Sequence, residues 1–254
     1  MKKILFTLGI VTCLGYQVNA QINLGNLEKD GSDLLKKAEG DKKGTGSDSP
    51  LSNDEVVKGL KEALQVAAKN STASASQMDG FFKNPKIFIP FPPDAQKVKD
   101  KCIDLGMKDQ VDKFEMNLNR AAEEASKSAV DIFINAITNM SVQDGFAILK
   151  GTNTAATQYL RDHTTNDLLA KFRPIVDAAI AKVELTKSWT PIVNTYNRIP
   201  FVEKQNPDLG DYVCRKGLEG LFKLVEDEEM KIRKDPVAQV TDLLKKVFGS
   251  VMKQ

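Results

Sequence analysis

The chain has 254 residues, with 36 Lys and Arg against 34 Asp and Glu and a single histidine. A formal net charge of +2 leaves no electrostatic footprint for nucleic acid or for an anionic membrane surface. One histidine excludes metal sites built from several, and no phosphate-binding glycine loop, HExxH pair, nucleophile elbow or Cys/His cluster occurs, so neither metal nor cofactor is expected.

Residues 1–20 begin Met1-Lys2-Lys3, continue as an apolar run from Ile4 to Tyr16 and close on Val18-Asn19-Ala20. This is the pattern of a secretory signal peptide cleaved after Ala20, and it places the protein in the periplasm or cell envelope. Lys2 and Lys3 account for the whole positive excess. Ile10-Val11-Thr12-Cys13 lacks the small residues that lipoprotein processing wants before the cysteine, so no lipid anchor is expected. Beyond the signal no apolar run approaches the ~18 residues needed to span a bilayer, and no transmembrane helix is expected.

Residues 21–50 read as a flexible tether. The run from Gly40 to Pro50 has no apolar residue and cannot offset its own ordering entropy. The helical domain then spans 51–249, with a short C-terminal tail at 250–254. Ser52-Asn53-Asp54-Glu55 forms a capping box that opens a helix to about Asn70, with Val56, Leu60 and Leu64 at helical spacing. Ile87-Phe88-Ile89-Pro90-Phe91-Pro92-Pro93 cannot be helical and predicts an extended apolar ribbon laid over the helices, with an edge strand as one option; together with Phe81 and Phe82 it is expected to be exposed. A helix follows from Asp94 to a Gly106 cap.

The stripe Val111, Phe114, Leu118, Ala121, Ala125, Ala129, Ile132, Ala136 predicts one long helix from Lys108 to Asn139. Ser141 and Asp144 introduce a short helix that stops near Gly151. Further helices are expected over 154–162, over 164–183 with Pro174 as a kink, around Trp189 to Tyr196, and over 209–234. A last helix follows, opened by the Asp235-Pro236 pair and ending at Gly249. The predicted class is all-α: a single multi-helix domain of about eight helices with an extended Pro-rich apolar segment.

Polar residues beside apolar stripes are the candidates for chemistry. Glu228 continues the stripe Cys214, Leu218, Leu221, Val225, while Glu229 with Arg233 and Asp227 with Lys231 are spaced to pair along the helix. Glu115, Asn119 and Glu123 share one face, and Arg120 reaches Glu123 or Glu124. His163 sits at an expected helix junction, where a helix-dipole partnership is its simplest role. Cys102 and Cys214 are expected as buried, unpaired thiols, a bridge between them being the alternative.

Two readings of the charged set compete. In one, Asn119, Arg120, Glu123, Asp144, Arg161 and Glu228 line a ligand site, and in an enzymatic version Glu123 and Glu228 act as acid and base with Arg161 or Arg233. In the other, these groups form buried ion pairs that fix helix register.

Asn119-Arg120-Ala121-Ala122-Glu123, Asp144-Gly145-Phe146-Ala147-Ile148-Leu149, Ala155-Ala156-Thr157-x-Tyr159-Leu160-Arg161, Phe172-x-Pro174-Ile175-Val176 and Glu228-Glu229-x-x-Ile232-Arg233-x-Asp235-Pro236 resemble the signature blocks of the bacterial DUF4197 family. Gly59-Leu60-Lys61-Glu62-Ala63-Leu64 and the run from Thr241 to Gly249 are similar too, so the resemblance covers about Leu51 to Gly249. It implies an exported protein of a Gram-negative bacterium and supplies no activity, cofactor or catalytic residue. The expected function is a non-enzymatic envelope module that binds a protein partner or small ligand between helices. The alternatives are a periplasmic hydrolase or lyase and an assembly factor for outer-membrane proteins.

Overall fold

Ser52 starts the first helix as its capping box implies: its Oγ accepts from the Glu55 amide while the Glu55 carboxylate accepts from the Ser52 amide. A computed structural model describes residues 50–250; the expected signal peptide, tether and Cys13 lie outside the described residues, as does most of the expected tail. Nine helices occur among the described residues: α1 Asn53–Ala75, α2 Gln96–Asp104, α3 Lys108–Ser126, α4 Ala129–Asn139, α5 Gly145–Leu149, α6 Ala155–Lys182, α7 Leu185–Asn197, α8 Leu209–Lys234 and α9 Asp242–Gly249. No strand occurs among them. The architecture is all-α, and the described residues fall in one compact unit.

The core is made where α8 packs against α1 and α6, and where α6 packs in turn against α3 and α4. Helices α2 and α7 close one side over α3, and α5 and α9 lie against α1. Phe133 of α4 meets Phe222 of α8 edge-on, with centroids 5.4 Å apart. Phe91, Phe114 and Trp189 join the ribbon to α3 and α7. Where α8 passes under the ribbon it carries Gly220, since a Cβ there would come within 2.9 Å of the Phe81 ring.

Several expected boundaries move. The stripe from Val111 to Ala136 is broken at Lys127 and Ser128, which separate α3 from α4. The apolar spacing Ala125, Ala129, Ile132 runs across the break in fours and threes, so periodicity alone cannot mark it. The two helices expected over 154–162 and 164–183 are one, α6, with Pro174 inside it. Thr164 is not a cap: its hydroxyl donates to the Leu160 carbonyl one turn back, a use of threonine inside helices that looks like a cap in sequence. His163 is therefore inside a helix and not at a junction. Asp235 does cap, accepting from the Val237 amide, but what it caps is the 3₁₀ turn Pro236–Ala238; Thr241 caps α9.

The ribbon is not exposed. Phe81, Ile87, Ile89 and Phe91 are all buried and the chain around them forms turns and extended backbone without a strand. Hydrophobic burial claims these four side chains because the ribbon is the lid of the α3–α8 core. Cys102 and Cys214 are buried and free. Cys102 faces the Ile192 carbonyl and Cys214 the Leu169 carbonyl, and burial pushes the Cys214 thiol up to about 11.

Candidate functional site

The ribbon has backbone donors but no strand to pair with, and a buried amide without a partner is costly. One face of α3 supplies the partners. Glu123 Oε1 accepts from the amides of Phe81 and Phe82, both at 3.1 Å. Asn119 accepts from the Ile89 amide at 2.8 Å and donates to the Ile89 carbonyl at 2.9 Å. Glu115 accepts from the Phe91 amide at 2.9 Å and pairs with Lys99. Residues 115, 119 and 123 are one turn apart, so their side chains form a row along the helix and serve as a surrogate strand edge. Arg120 completes the arrangement by bonding Glu123 Oε2 at 2.6 Å and Asp79 at 2.7 Å, which holds the turn that starts the ribbon.

A second clasp joins α5 and α6 to α8. Glu229, only 1 % exposed, accepts from the Ala156 amide at 3.0 Å and from the Thr157 amide and hydroxyl at 2.7 and 2.6 Å. These amides are orphan donors of the first turn of α6, where a negative charge is favoured. Arg233, one turn on, bonds Glu229 at 2.8 Å and turns its fork to the carbonyls of Leu149 and Ile148 at the C-terminus of α5, where a positive charge is favoured. One turn of α8 thus neutralises the end of one helix and the start of the next.

Sequence reasoning placed Glu228 in the stripe and Glu229 outside it. The structure reverses this. Glu229 is buried, while Glu228 lies at the edge, accepting from Asn70 at 2.8 Å and pairing with Lys231. Positions three and four after Val225 both continue a helical stripe, so spacing could not choose between them. Asp227 consequently pairs with Lys86 of the ribbon and not with Lys231. Asp144 caps α5, accepting from the Ala147 amide. Arg161 lies over the Phe222 ring at 4.7 Å and bonds Glu226 at 2.6 Å. Asn119, Arg120 and Glu123 are therefore brought together on the ribbon; Glu228, Arg161, Arg233 and Asp144 each have separate partners, and Glu123 and Glu228 share none.

A concave feature lies elsewhere, between α4 and α6. It is a groove of about 480 Å³, within the range of small-molecule sites. Its α6 wall is the row Tyr159, His163, Asp167, Lys171, each one turn from the last; its α4 wall carries Asn135 and Asn139; Leu168 and Met140 form the buried floor. The Tyr159 hydroxyl donates to the Ser141 carbonyl at 2.7 Å and pins α6 to the loop after α4. The His163 ring stacks on Tyr159 at 3.9 Å. Its Nδ1 lies 2.8 Å from the Tyr159 carbonyl; a carbonyl only accepts, so Nδ1 donates there and Nε2 is the ring nitrogen without a partner among the described residues. Asp167 and Lys171 make no ion pair among the described residues, and the Asn135 amide has no partner there. Apart from His163, read as a helix-dipole partner, no residue of this groove stood out in the sequence as a candidate for chemistry. The one-turn spacing of its polar residues is legible, but their pairing across α4 and α6 depends on packing.

The sequence matches a family model described as a protein of unknown function (DUF4197) over residues 50–249. No curated protein and no solved structure matched the chain.

Proposed function

The chain belongs to the DUF4197 family, whose description assigns no activity, and we propose from the geometry that it is a non-enzymatic binding module that holds a small neutral or zwitterionic ligand in the α4–α6 groove. The observation that carries this reading is the contrast between the two kinds of polar site. The charged groups of the ribbon row and of the clasp, Glu115, Arg120, Glu123, Glu229 and Arg233, are consumed by internal hydrogen bonds, whereas the groove keeps Nε2 of His163, an amide at Asn135, and an acid and a base one turn apart at Asp167 and Lys171. Opposite charges at that spacing suit a ligand carrying both. The amino-terminal sequence supports placing this module in the cell envelope. No observation favours an acid–base enzyme, because Glu123 faces Phe81, Phe82 and Arg120 while Glu228 faces Asn70 and Lys231.

The test is a binding screen of the full chain against free amino acids, dipeptides and N-acetylated amino sugars, followed by titration of the hits with Asn135→Ala, Asp167→Asn and Lys171→Met. The expected result is a hit weakened at least about tenfold, or ~1.4 kcal/mol, by these changes, with unfolding shifted by less than ~0.5 kcal/mol because all three are exposed. Hits indifferent to all three substitutions, or no hit in these classes, would overturn the reading.

A further inference from the structure

We propose that the cleft between α6 and α8 around Arg161 and Arg215 is a second ligand site, which takes a small carboxylic acid with an apolar body. Arg161, Thr165 and Leu169 lie two residues out of step with the row that lines the α4–α6 groove, about 200° around the helix, so this cleft is on the other flank of α6 and its failure leaves the first site untouched.

Three observations converge on the ligand class. The first is an open donor: Arg161 spends Nη2 on Glu226, while its Nη1 has no acceptor among the described residues. Its Nε is sealed and also without a partner there, so the guanidinium is only part satisfied, and a bound acceptor at Nη1 would answer it. The second is a second guanidinium at the rim. Arg215 uses Nε on Asp211 at 2.7 Å, and its two terminal nitrogens have no partner among the described residues, which suits them to take a carboxylate in the fork geometry that arginine favours. The third is the floor, which is apolar: Leu169, Leu218 and Phe222.

The one acid facing the cleft, Glu219, is already held by Lys216 at 2.8 Å and Lys223 at 3.3 Å. Those lysines keep its carboxyl below the usual range, so it stays charged. Arg161, Arg215, Lys216 and Lys223 stand against Glu219, Glu226 and Asp211, four cations to three acids, so one positive charge is left over around the cleft. The volume, about 210 Å³, is smaller than the ~300 Å³ at the low end of drug-sized sites. A bare inorganic anion would leave the floor wet, and a neutral aromatic would leave the open guanidinium nitrogens without an acceptor. A compact acid such as benzoate or hexanoate answers both demands.

Calorimetric titration of the full chain at constant ionic strength tests this, with benzoate and hexanoate as probes, benzyl alcohol as the neutral counterpart and inorganic phosphate as the bare anion. Either acid is expected to bind with Kd below about 1 mM and at least tenfold more tightly than both controls. Arg215→Gln is expected to weaken it at least tenfold with the unfolding curve unchanged, since that side chain is exposed and paired only along its own helix. Arg161→Gln should abolish binding; because Arg161 also holds Glu226, the exposed Arg215 variant carries the test if the Arg161 variant fails to fold. Asp167→Asn should leave acid binding intact. The proposal is overturned if neither acid binds, if benzyl alcohol or phosphate binds as well, or if Arg215→Gln has no effect.

Discussion

Glu229→Ala removes the group on which the junction of α5 and α6 depends. The carboxylate takes four hydrogen bonds, from the Ala156 amide, the Thr157 amide and hydroxyl, and Arg233. Its side chain is 1 % exposed and that of Arg233 7 %, so water cannot replace what is lost. Removing one member of a buried ion pair costs about 3–5 kcal/mol, a large share of the ~5–15 kcal/mol that holds a domain folded. At ~2–4 °C per kcal/mol for a domain of this size, the melting temperature should fall by about 6–20 °C. Glu229→Gln keeps the volume and one acceptor but turns an NH₂ towards Thr157 or Arg233, both donors, and should cost roughly half as much. The pair can be separated from its surroundings by a double-mutant cycle with Arg233→Met, for which a coupling of about 1–3 kcal/mol is expected. The assays are urea and thermal unfolding by circular dichroism, with hydrogen exchange at Ala156 and Thr157. A Glu229→Ala protein within about 1 kcal/mol of wild type, or one whose Thr157 amide stays protected, would refute the clasp.

Two further outcomes follow from the same reasoning. Asn119→Ala strips the Ile89 amide and carbonyl of their partners and should cost about 2–6 kcal/mol, at ~1–3 kcal/mol for each buried group left unsatisfied; unchanged exchange at the Ile89 amide would contradict it. Acid should destabilise the fold through carboxyls held low by their partners. Hydrogen bonds from Lys246 and Ser52 bring Glu55 down from 4.5 to about 2, and Asp79, Glu124, Asp208 and Glu219 move the same way. Groups lowered on folding stabilise above their unfolded values and lose that contribution as pH falls through the folded ones, so urea midpoints should drop between about pH 5 and 2. Salt should blunt the drop because these pairs are largely exposed. Midpoints that stay level from about pH 5 to 3 would remove the premise.

What could be read from the sequence divides along physical lines. The Ser52 capping box, the Asp144 cap and the Gly106 turn, which has φ +80°, are short-range chemistry, and the residues that make them are adjacent in the chain. The row Glu115, Asn119, Glu123 was legible as one face of a helix, but not what it faced, because its partners are the backbone of residues 81–91. Glu228 and Glu229 show the limit of periodicity: a stripe stepping by three or four admits both, and only packing of α8 against α6 selects Glu229. The fusion of two expected helices into α6 has a related cause. Thr164 offers the same hydroxyl to a helix start or to the carbonyl one turn back, and the choice depends on Leu160 and Thr164 being buried together.

The polar residues of this domain separate by what they could still do. An oxygen of Glu229 or Glu123 can meet a ligand only by releasing a helix end or the ribbon, at a cost comparable to the clasp itself. Such groups fix the fold and respond to little short of unfolding. Groups without internal partners carry no such cost, and α6 has them on both flanks. Its apolar side packs against α3, α4 and α8; one flank carries Asp167, Lys171 and Nε2 of His163, and the other Nη1 of Arg161. A rigid, 28-residue helix held at its start by Glu229 is a suitable platform for both, because a site built on a fixed element need not pay ordering entropy when a ligand arrives. Weakening the Glu229 clasp should therefore reach the binding surfaces only through the position of α6: its variants would lower stability first and affinity second. Variants on the flanks of α6 would lower affinity alone.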